Sequence, residues 1–138
     1  MTSGRGRERS PASRSLEGRA ALVTGASRGI SADIAREIAR AGASVAVCAR
    51  TEQQQDERMP GTIHSVAAEI TAEVGRAVAI CLDMRDVDSI RAAVERTVAE
   101  LRGLDIVVHN AAAQMPGTID DFQPRHLELM WAVNLRGR

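Results

Sequence analysis

From residue 20 onward, short continuous apolar runs alternate with longer stretches in which apolar residues recur every three or four positions. A short apolar run is typical of a strand buried on both faces of a sheet, whereas the three-to-four spacing is typical of an amphipathic helix. Four of the runs have the length of strands. The predicted strands are Ala20–Thr24, Ser44–Ala49, Ala77–Leu82 and Leu104–His109.

The helices are predicted from their apolar spacing and from the residues at their ends. Thr62 is the candidate N-cap of the second helix, either Asp86 or Asp88 can cap the third, and the fourth begins at about Asp120. Glycine favours the position after a helix C-terminus, and the glycines that end the first three helices are Gly42, Gly75 and Gly103. The apolar positions that define the four helices are, in order, Ile30, Ile34, Ile38 and Ala41; Val66, Ile70 and Val74; Ile90, Val94, Val98 and Leu101; and Leu127, Met130, Trp131 and Leu135.

The alternation of strands and helices predicts an α/β fold. Parallel strands need long crossover connections, and these are right-handed, so the expected architecture is a doubly wound, Rossmann-like parallel sheet formed by residues 18–138. Residues 1–17 are rich in Arg and Ser and have no apolar periodicity, which predicts a disordered tail. A targeting arm is the alternative for this segment, and Glu8 and Glu17 argue against it.

A glycine-containing turn, Thr24-Gly25-Ala26-Ser27-Arg28-Gly29-Ile30, joins the first strand to the first helix. A turn in this place directs backbone N–H groups and the positive end of the helix at an anion. Glycine also removes the Cβ atoms that would keep a pyrophosphate away from the chain. The turn taken alone is explained equally well as an ordinary strand-to-helix connection.

Composition narrows the chemistry open to the chain. The 138 residues have a formal net charge of zero, which gives no indication of a nucleic-acid surface. No apolar stretch approaches the ~18 residues of a membrane span, so a cytoplasmic protein is expected. Cys48 and Cys81 fall inside predicted strands at a spacing that matches no metal motif, and we expect buried, reduced thiols. Tyr is absent and all 18 basic residues are Arg, so no phenol and no ε-amine is available.

Three further segments follow the glycine turn in an order that is characteristic of one enzyme family. They are Cys81-Leu82-Asp83-Met84, His109-Asn110-Ala111-Ala112 and Val133-Asn134-Leu135-Arg136-Gly137. Together with the turn, they resemble the N-terminal half of the short-chain dehydrogenase/reductase family over roughly residues 17 to 138. The segments 60–65 and 83–86 are most similar to its hydroxysteroid-dehydrogenase-like branch.

The resemblance implies a role for each matching residue. Asp83 would accept a hydrogen bond from the adenine amino group, beside the backbone of Met84. Asn134 matches the family's active-site Asn, which helps to hold a water connected to the catalytic Lys. A cap before the next helix is the alternative for Asp83, and a solvated helix residue is the alternative for Asn134. The other implied contacts are Gly25, Ser27, Arg28, Gly29 and Ile30 with the cofactor phosphates and ribose, and Asn110 and Ala111 with the nicotinamide ribose.

The chain departs from the family pattern in three places. Ser31 stands where the family has its third glycine, and His109 and Ala112 replace an Asn and a glycine. Replacing a glycine that has a positive φ makes the local backbone at Ala112 uncertain, and His109 is expected to be a strand-end residue. The family's catalytic Ser and Tyr-x-x-x-Lys would follow Asn134, so the 138 residues correspond to the cofactor-binding part of a site without its acid.

Arg50 indicates which dinucleotide is bound. It lies about 20 residues after Gly29, where NAD-specific sites place an Asp or Glu on the ribose 2′-hydroxyl. A cation at this position attracts a 2′-phosphate, and Arg28 can reach the same group. NADP is therefore the predicted cofactor in preference to NAD, with a solvated loop residue as the alternative for Arg50.

These observations predict an NADP-dependent short-chain oxidoreductase that acts on a carbonyl or secondary alcohol, represented here by its cofactor-binding part. The expected partner is a small molecule, lipid-like on the branch resemblance, with no nucleic acid and no membrane. A non-catalytic nucleotide-binding fragment, or a truncated reading frame, is the alternative. A methyltransferase is disfavoured because the acid that usually ends strand two is Arg50. Homo-oligomerisation through the last helix and a core role for Trp131 both stay open.

Overall fold

Four parallel strands form a single sheet in the order β3-β2-β1-β4 in the computed structural model, which describes residues 15–54 and 57–138. The predicted Rossmann-like parallel sheet is thereby confirmed. The first three strands match the sequence prediction closely, and β4 is shorter than predicted. The strands are β1 Ala20–Thr24, β2 Ser44–Ala49, β3 Ala77–Cys81 and β4 Ile106–Val108.

Helices follow the strands and cover both faces of the sheet. They are α1 Gly29–Arg40, α2 Ile63–Glu73, α3 Val87–Leu101 and α4 Pro124–Trp131, and a π-helical turn, Ala132–Arg136, continues α4. Alternate residues of a strand point to opposite faces, so each strand contributes to two cores. None of the helices in the described part of the chain is long and apolar enough to cross a membrane.

The first core lies between the sheet and the pair α1–α2. Two ion pairs join these helices at their surface, since Arg36 lies 2.6 Å from Glu69 and Arg40 lies 2.9 Å from Glu73. The buried core residues are Val23, Ala26, Ala32, Ala35, Ala39, Val45, Val47, Ala49, Ile63, Val66, Ala67 and Ile70.

The second core lies on the opposite face, against α3 and the π-helical turn. Its buried residues are Ala20, Leu22, Ala46, Cys48, Ile80, Leu82, Met84, Ala93, Leu101 and Val133. Cys48 is buried as expected, and burial raises the pKa of its thiol to about 12. Cys81 is exposed. The expectation that Cys81 is buried is therefore wrong, because the side of β3 on which it lies is not covered at the end of the strand.

Side chains at the helix ends explain most of the observed boundaries. Thr62 caps α2 by accepting a hydrogen bond from Ser65 N at 3.0 Å, and Ser65 Oγ accepts one from Thr62 N in return. Asp86, rather than Asp88, caps α3, since its carboxylate accepts from the backbone N–H of Asp88. Helix α4 starts at Pro124 and not near Asp120, because proline fits the first turn of a helix, where its missing N–H is not needed.

The buried face of two helices differs from the one that the large apolar residues predict. Ile30 is 72% exposed, and Val94 and Val98 are also exposed. Helix α1 instead buries Ser31 and three alanines, and α3 buries Ala93, Thr97 and Leu101. Small side chains let a helix approach the sheet closely, so this close packing overrides the spacing of the larger residues.

The predicted tail is shorter than expected where the structure describes it. Residues 15–18 form a turn, and Leu16 N–H donates to Ala41 O at 2.9 Å at the end of α1. The expectation that disorder extends to residue 17 is wrong for these last positions. The rest of the predicted tail, residues 1–14, lies outside the described residues.

Candidate functional site

A cleft of about 1080 Å³ opens at the carboxyl ends of the strands. The chain leaves β1 and β4 toward opposite faces of the sheet, so the neighbouring ends of these two strands form the topological switch point at which open α/β sheets bind ligands. All ten residues predicted to contact a cofactor line this cleft: Gly25, Ser27, Arg28, Gly29, Ile30, Arg50, Asp83, Met84, Asn110 and Ala111. Their position is an observation, whereas their binding roles stay predictions.

The glycine turn packs directly against the segment that follows β4. Gly25 has a φ of +71°, and a Cβ atom on it would lie 3.1 Å from the Cα of Ala111. Only glycine satisfies both the left-handed backbone and this close approach. Arg28 is the N-cap of α1 and makes no side-chain capping bond. The first N–H groups of α1 are therefore left without a capping side chain at the edge of the cleft.

A single buried hydroxyl joins the two strand ends. Thr24 Oγ1 accepts hydrogen bonds from the backbone N–H groups of Asn110 and Ala111, both at 3.1 Å, and donates to Val108 O at 3.2 Å. Both lone pairs and the proton of the hydroxyl are thus used. Thr24 fixes the segment after β4 relative to the glycine turn.

Two arginines lie at the end of the cleft beyond β2. Arg28 reaches across from the glycine turn and donates to Thr51 Oγ1 at 3.2 Å. Arg50 is exposed and lines the same part of the cleft. Gly61 packs onto Ser27 O so closely that a Cβ atom there would collide with it. The loop after β2 is thereby held against the glycine turn.

Asp83 is engaged by a neighbouring guanidinium. Arg85 donates from Nε to both carboxylate oxygens, at 2.9 and 3.1 Å, and its backbone N–H donates to Oδ1 at 2.9 Å. These bonds lower the pKa of Asp83 to about 2, with a smaller contribution from the charge of Arg50. Asp83 is not the cap of the next helix, which is Asp86. A ligand that bonds to Asp83 would therefore share the carboxylate with Arg85.

Asn134 lies apart from the ten residues and does not line the cleft. Its Oδ1 accepts from Ala113 N at 2.8 Å, and its Nδ2 donates to Ala113 O at 2.9 Å. Both polar groups of the amide are used in fastening the π-helical turn to the segment after β4. In the structure Asn134 therefore holds two segments together through hydrogen bonds to Ala113. Its catalytic role stays a prediction.

Ser31 and Ala112, which depart from the family pattern, fit the structure without strain. Ser31 is buried in the first turn of α1, and its Oγ accepts a hydrogen bond from Asn110 Nδ2 at 2.6 Å. Among the non-glycine residues that the structure describes, only Arg102 has a positive φ. Ala112 therefore does not adopt the left-handed backbone. The concern about the backbone at Ala112 is therefore unfounded.

Sequence reasoning missed several residues that shape the cleft. Thr24 and Ser31 are polar residues at the buried junction of a strand and a helix, and this placement was the available signal for a hydrogen-bonding role. Nothing in the sequence pattern indicated that Arg85 pairs with Asp83. The other lining residues that were not predicted are Ala49, Thr51, Met59, Leu82, Ala112, Ala113, Leu129 and Val133.

Comparison with known proteins connects this geometry to a family. The family model for short chain dehydrogenases matches residues 19–138. The chain belongs to the short-chain dehydrogenase/reductase family. The relatives that it matches include hydroxysteroid dehydrogenase-like proteins, which confirms the branch that the segments around Pro60 and Asp83 indicated.

Two relatives and two solved structures illustrate the similarity. Hydroxysteroid dehydrogenase-like protein 2 of Xenopus laevis is 40% identical over 122 residues, which cover 88% of this chain and 29% of that protein. The human protein of the same name has the same identity and coverage. A short chain dehydrogenase from Mycobacterium thermoresistibile is 39% identical with a TM-score of 0.83, over 89% of this chain and 44% of that one. One from Burkholderia cenocepacia, solved in complex with NADP, is 37% identical with a TM-score of 0.77, over 89% and 47% of the two chains.

The matched region is a part of each of these proteins. The chain spans 29% of the length of the first curated relatives and 44 to 47% of the solved structures.

Proposed function

We propose that this chain is the dinucleotide-binding part of an NADP-dependent short-chain oxidoreductase that acts on a carbonyl or a secondary alcohol. The observation that carries the proposal is the convergence of all ten predicted contact residues on one cleft at the switch point of the sheet. The solved relative from Burkholderia cenocepacia, which is in complex with NADP, supports the choice of cofactor class.

The cleft suits a dinucleotide in size and in chemistry. Its volume of about 1080 Å³ is at the upper end of the range of ligand sites, which fits an extended ligand. The N-terminus of α1, with no capping side chain on Arg28, offers backbone N–H groups and a positive dipole end to a pyrophosphate. Gly25 and Gly29 leave the turn without side chains beside that position.

A nicotinamide dinucleotide, when bound, supplies hydride exchange with the substrate carbon. The residues of this chain would bind and orient it. The glycine turn would hold the phosphates, Asp83 and the Met84 backbone would receive the adenine, and Asn110 and Ala111 would lie beside the nicotinamide ribose. A proton for the developing alkoxide has to come from an acid in the same site, and neither Tyr nor Lys occurs in these 138 residues.

The charges at the adenosine end favour NADP over NAD. Arg28 and Arg50 both line this end of the cleft, and Arg28 is held there by Thr51. The nearby carboxylate, Asp83, has its charge balanced by Arg85. An unbalanced acid would repel a 2′-phosphate, whereas two guanidinium groups can form charge-assisted hydrogen bonds with it.

Cofactor titration tests the proposal. NADPH and NADH are titrated against the intact chain and against Arg50→Ala, with binding followed by nicotinamide fluorescence. One charge-assisted hydrogen bond is worth roughly 1.5–3 kcal/mol, which corresponds to about a ten- to hundredfold preference for NADPH. Arg50→Ala should remove most of this preference and leave NADH affinity nearly unchanged.

Arg91→Ala provides the matched control. Arg91 is an exposed arginine on α3 that pairs with Asp88 and does not line the cleft. Its removal should change neither affinity, so it separates a local contact from the overall charge. Equal affinities of the intact chain for the two cofactors, or a preference that Arg50→Ala leaves intact, would contradict the choice of NADP.

A binding module without catalysis is the second candidate function. The observation that favours it is the absence of Tyr and Lys from the 138 residues. Both candidates share the fold and the cofactor. They differ in whether a catalytic Ser, Tyr and Lys complete the site beside the cleft. The coding sequence downstream of Arg138 distinguishes them, because an in-frame Ser and Tyr-x-x-x-Lys would support the oxidoreductase.

The proposal extends to a small-molecule substrate, lipid-like in character, to a cytoplasmic location and to a homo-oligomer. The substrate and the homo-oligomer rest on the family resemblance and on the name of the hydroxysteroid dehydrogenase-like relatives. The location rests on the sequence alone. Trp131 and Leu135 are exposed on the last turns of the chain, which is compatible with contact between copies.

A further inference from the structure

Ser31 makes a contact that the family's glycine could not make. It is buried in the first turn of α1, and its Oγ lies 2.6 Å from Nδ2 of Asn110. Both residues line the cleft. The third glycine of the family pattern allows close packing of the helix on the strand, and a glycine has no hydroxyl. The contact therefore depends on this chain's own sequence.

In this contact the Asn110 amide turns its nitrogen, Nδ2, toward Ser31. Oxygen and nitrogen lie on opposite sides of the planar amide group, so when Nδ2 donates to Ser31, Oδ1 is directed away from it. The backbone of Asn110 is also fixed, because its N–H donates to Thr24 Oγ1. Within residues 15–54 and 57–138, no group of the chain donates to Oδ1. A hydrogen-bond acceptor is thus presented in a fixed orientation at the nicotinamide side of the cleft.

We propose that Ser31 is a cofactor-positioning residue, which holds the Asn110 amide so that Oδ1 accepts a hydrogen bond from a ribose hydroxyl of the bound dinucleotide. The inference rests on the proposed function and adds a residue to it. Asn110 is otherwise an exposed side chain, whose rotamers would have to be restricted on binding. Restricting them beforehand lowers the entropic cost of binding.

A double-mutant cycle tests the coupling between the two side chains. NADPH affinity is measured for the intact chain, Ser31→Ala, Asn110→Ala and the double variant. Loss of one hydrogen bond should weaken NADPH binding about three- to tenfold in Ser31→Ala, and by at least as much in Asn110→Ala. Because Ser31 acts through Asn110, the double variant should bind no more weakly than Asn110→Ala alone.

A shorter ligand separates positioning from a general loss of structure. Adenosine 2′,5′-bisphosphate carries the adenosine half of the cofactor and has no nicotinamide ribose to reach Asn110. Ser31→Ala should bind this fragment as the intact chain does while losing affinity for NADPH. Thr97→Val is the control for removal of a buried hydroxyl, since Thr97 donates to Ala93 O inside α3 and lies away from the cleft. It should leave both affinities unchanged.

The possible outcomes distinguish the proposed role of Ser31 from the proposed dinucleotide-binding function. Loss confined to NADPH, and absent when Asn110 is already alanine, supports the role of Ser31. Equal losses for NADPH and the fragment, additive effects in the double variant, or a Ser31→Ala variant that binds NADPH normally would overturn this inference alone. An intact chain that binds neither dinucleotide would overturn the proposed function together with it.

Discussion

Helices cover the two faces of the sheet to different degrees. Helices α1 and α2 bury the residues of β1 and β2 on their face of the sheet, and two ion pairs join the helices. On the other side, β4 pairs through only three residues, Val107 is 45% exposed, and α4 has no buried residue. The α1–α2 side is therefore the closed side, whereas the open, β4–α4 side retains exposed apolar residues such as Leu127 and Trp131. The cleft lies along the boundary between them.

The largest expected effect concerns catalysis, which needs an acid in the same site as the hydride. We expect no turnover of any alcohol or carbonyl by the 138-residue chain, because it has neither Tyr nor Lys to protonate the alkoxide. Absorbance of reduced nicotinamide measures this directly. His109 follows β4 and directly precedes Asn110, which lines the cleft. Dinucleotide-dependent turnover that His109→Ala abolishes would contradict the expectation.

The next effect compares the same substitution on the two sides. Ile70 is 1% exposed in the α1–α2 core, and Ile119 is 92% exposed in the loop before α4. Ile70→Ala should lower the free energy of unfolding by about 2–5 kcal/mol, because it removes buried methyl groups and leaves a cavity. Ile119→Ala should change it by less than about 0.5 kcal/mol. Urea unfolding followed by circular dichroism measures both free energies. Similar losses for the two variants would show that isoleucine contributes equally to stability on the two sides.

A third effect concerns self-association through the open side. An apolar edge strand pairs readily with other chains, so we expect light scattering to report species larger than a monomer at micromolar concentration. Val107→Lys should shift the distribution toward monomer. Val74→Lys is the matched control, since Val74 is 43% exposed at the end of α2. A monodisperse monomer, or equal effects of the two substitutions, would argue against a role for β4.

The smallest effect is the pH dependence of stability at the boundary between the sides. Arg85 lowers the pKa of Asp83 to about 2 in the folded chain. A lowered pKa stabilises the fold fully above the unfolded value near pH 4, and this contribution is lost as the pH falls toward 2. Both side chains are partly exposed, so the contribution should not exceed ~1 kcal/mol.

Asp83→Asn checks this prediction. The difference in unfolding free energy between the intact chain and Asp83→Asn should be present at neutral pH and should shrink at about pH 2.5, as the carboxylate protonates in the unfolded state. Asp120→Asn removes an exposed carboxylate from the loop before α4 and should give no such change. A difference that is independent of pH would mean that the ion pair does not stabilise the fold.

The features that the sequence predicted well depend on local patterns. Buried parallel strands are continuous apolar runs, and the turn after β1 has glycines where a left-handed backbone and close contact require them. Thr62 was predicted as a cap because its hydroxyl bonds within one helical turn. The family resemblance located the segments after β3 and β4 that line the cleft, and the carboxyl ends of parallel strands bring them to one edge of the sheet.

The features that were missed depend on contacts between distant segments. Ile30 is more apolar than Ser31, but close packing of α1 on the sheet buries the serine and exposes the isoleucine. The pairing of Asn134 with Ala113 joins segments 21 residues apart, and no spacing rule predicts it. Cys81 was assigned to a buried strand from its neighbours, and coverage of the strand end by other elements could not be read from that local pattern.

The hydroxyl of Thr24 has a consequence for how the cleft responds to a ligand. Because it binds backbone groups of Val108, Asn110 and Ala111 together, the two walls of the switch point are held in one rigid unit before anything enters. Conformational entropy that a flexible loop would lose on binding has already been lost during folding. The calorimetric signature of dinucleotide binding should therefore contain only a small term from ordering of these walls.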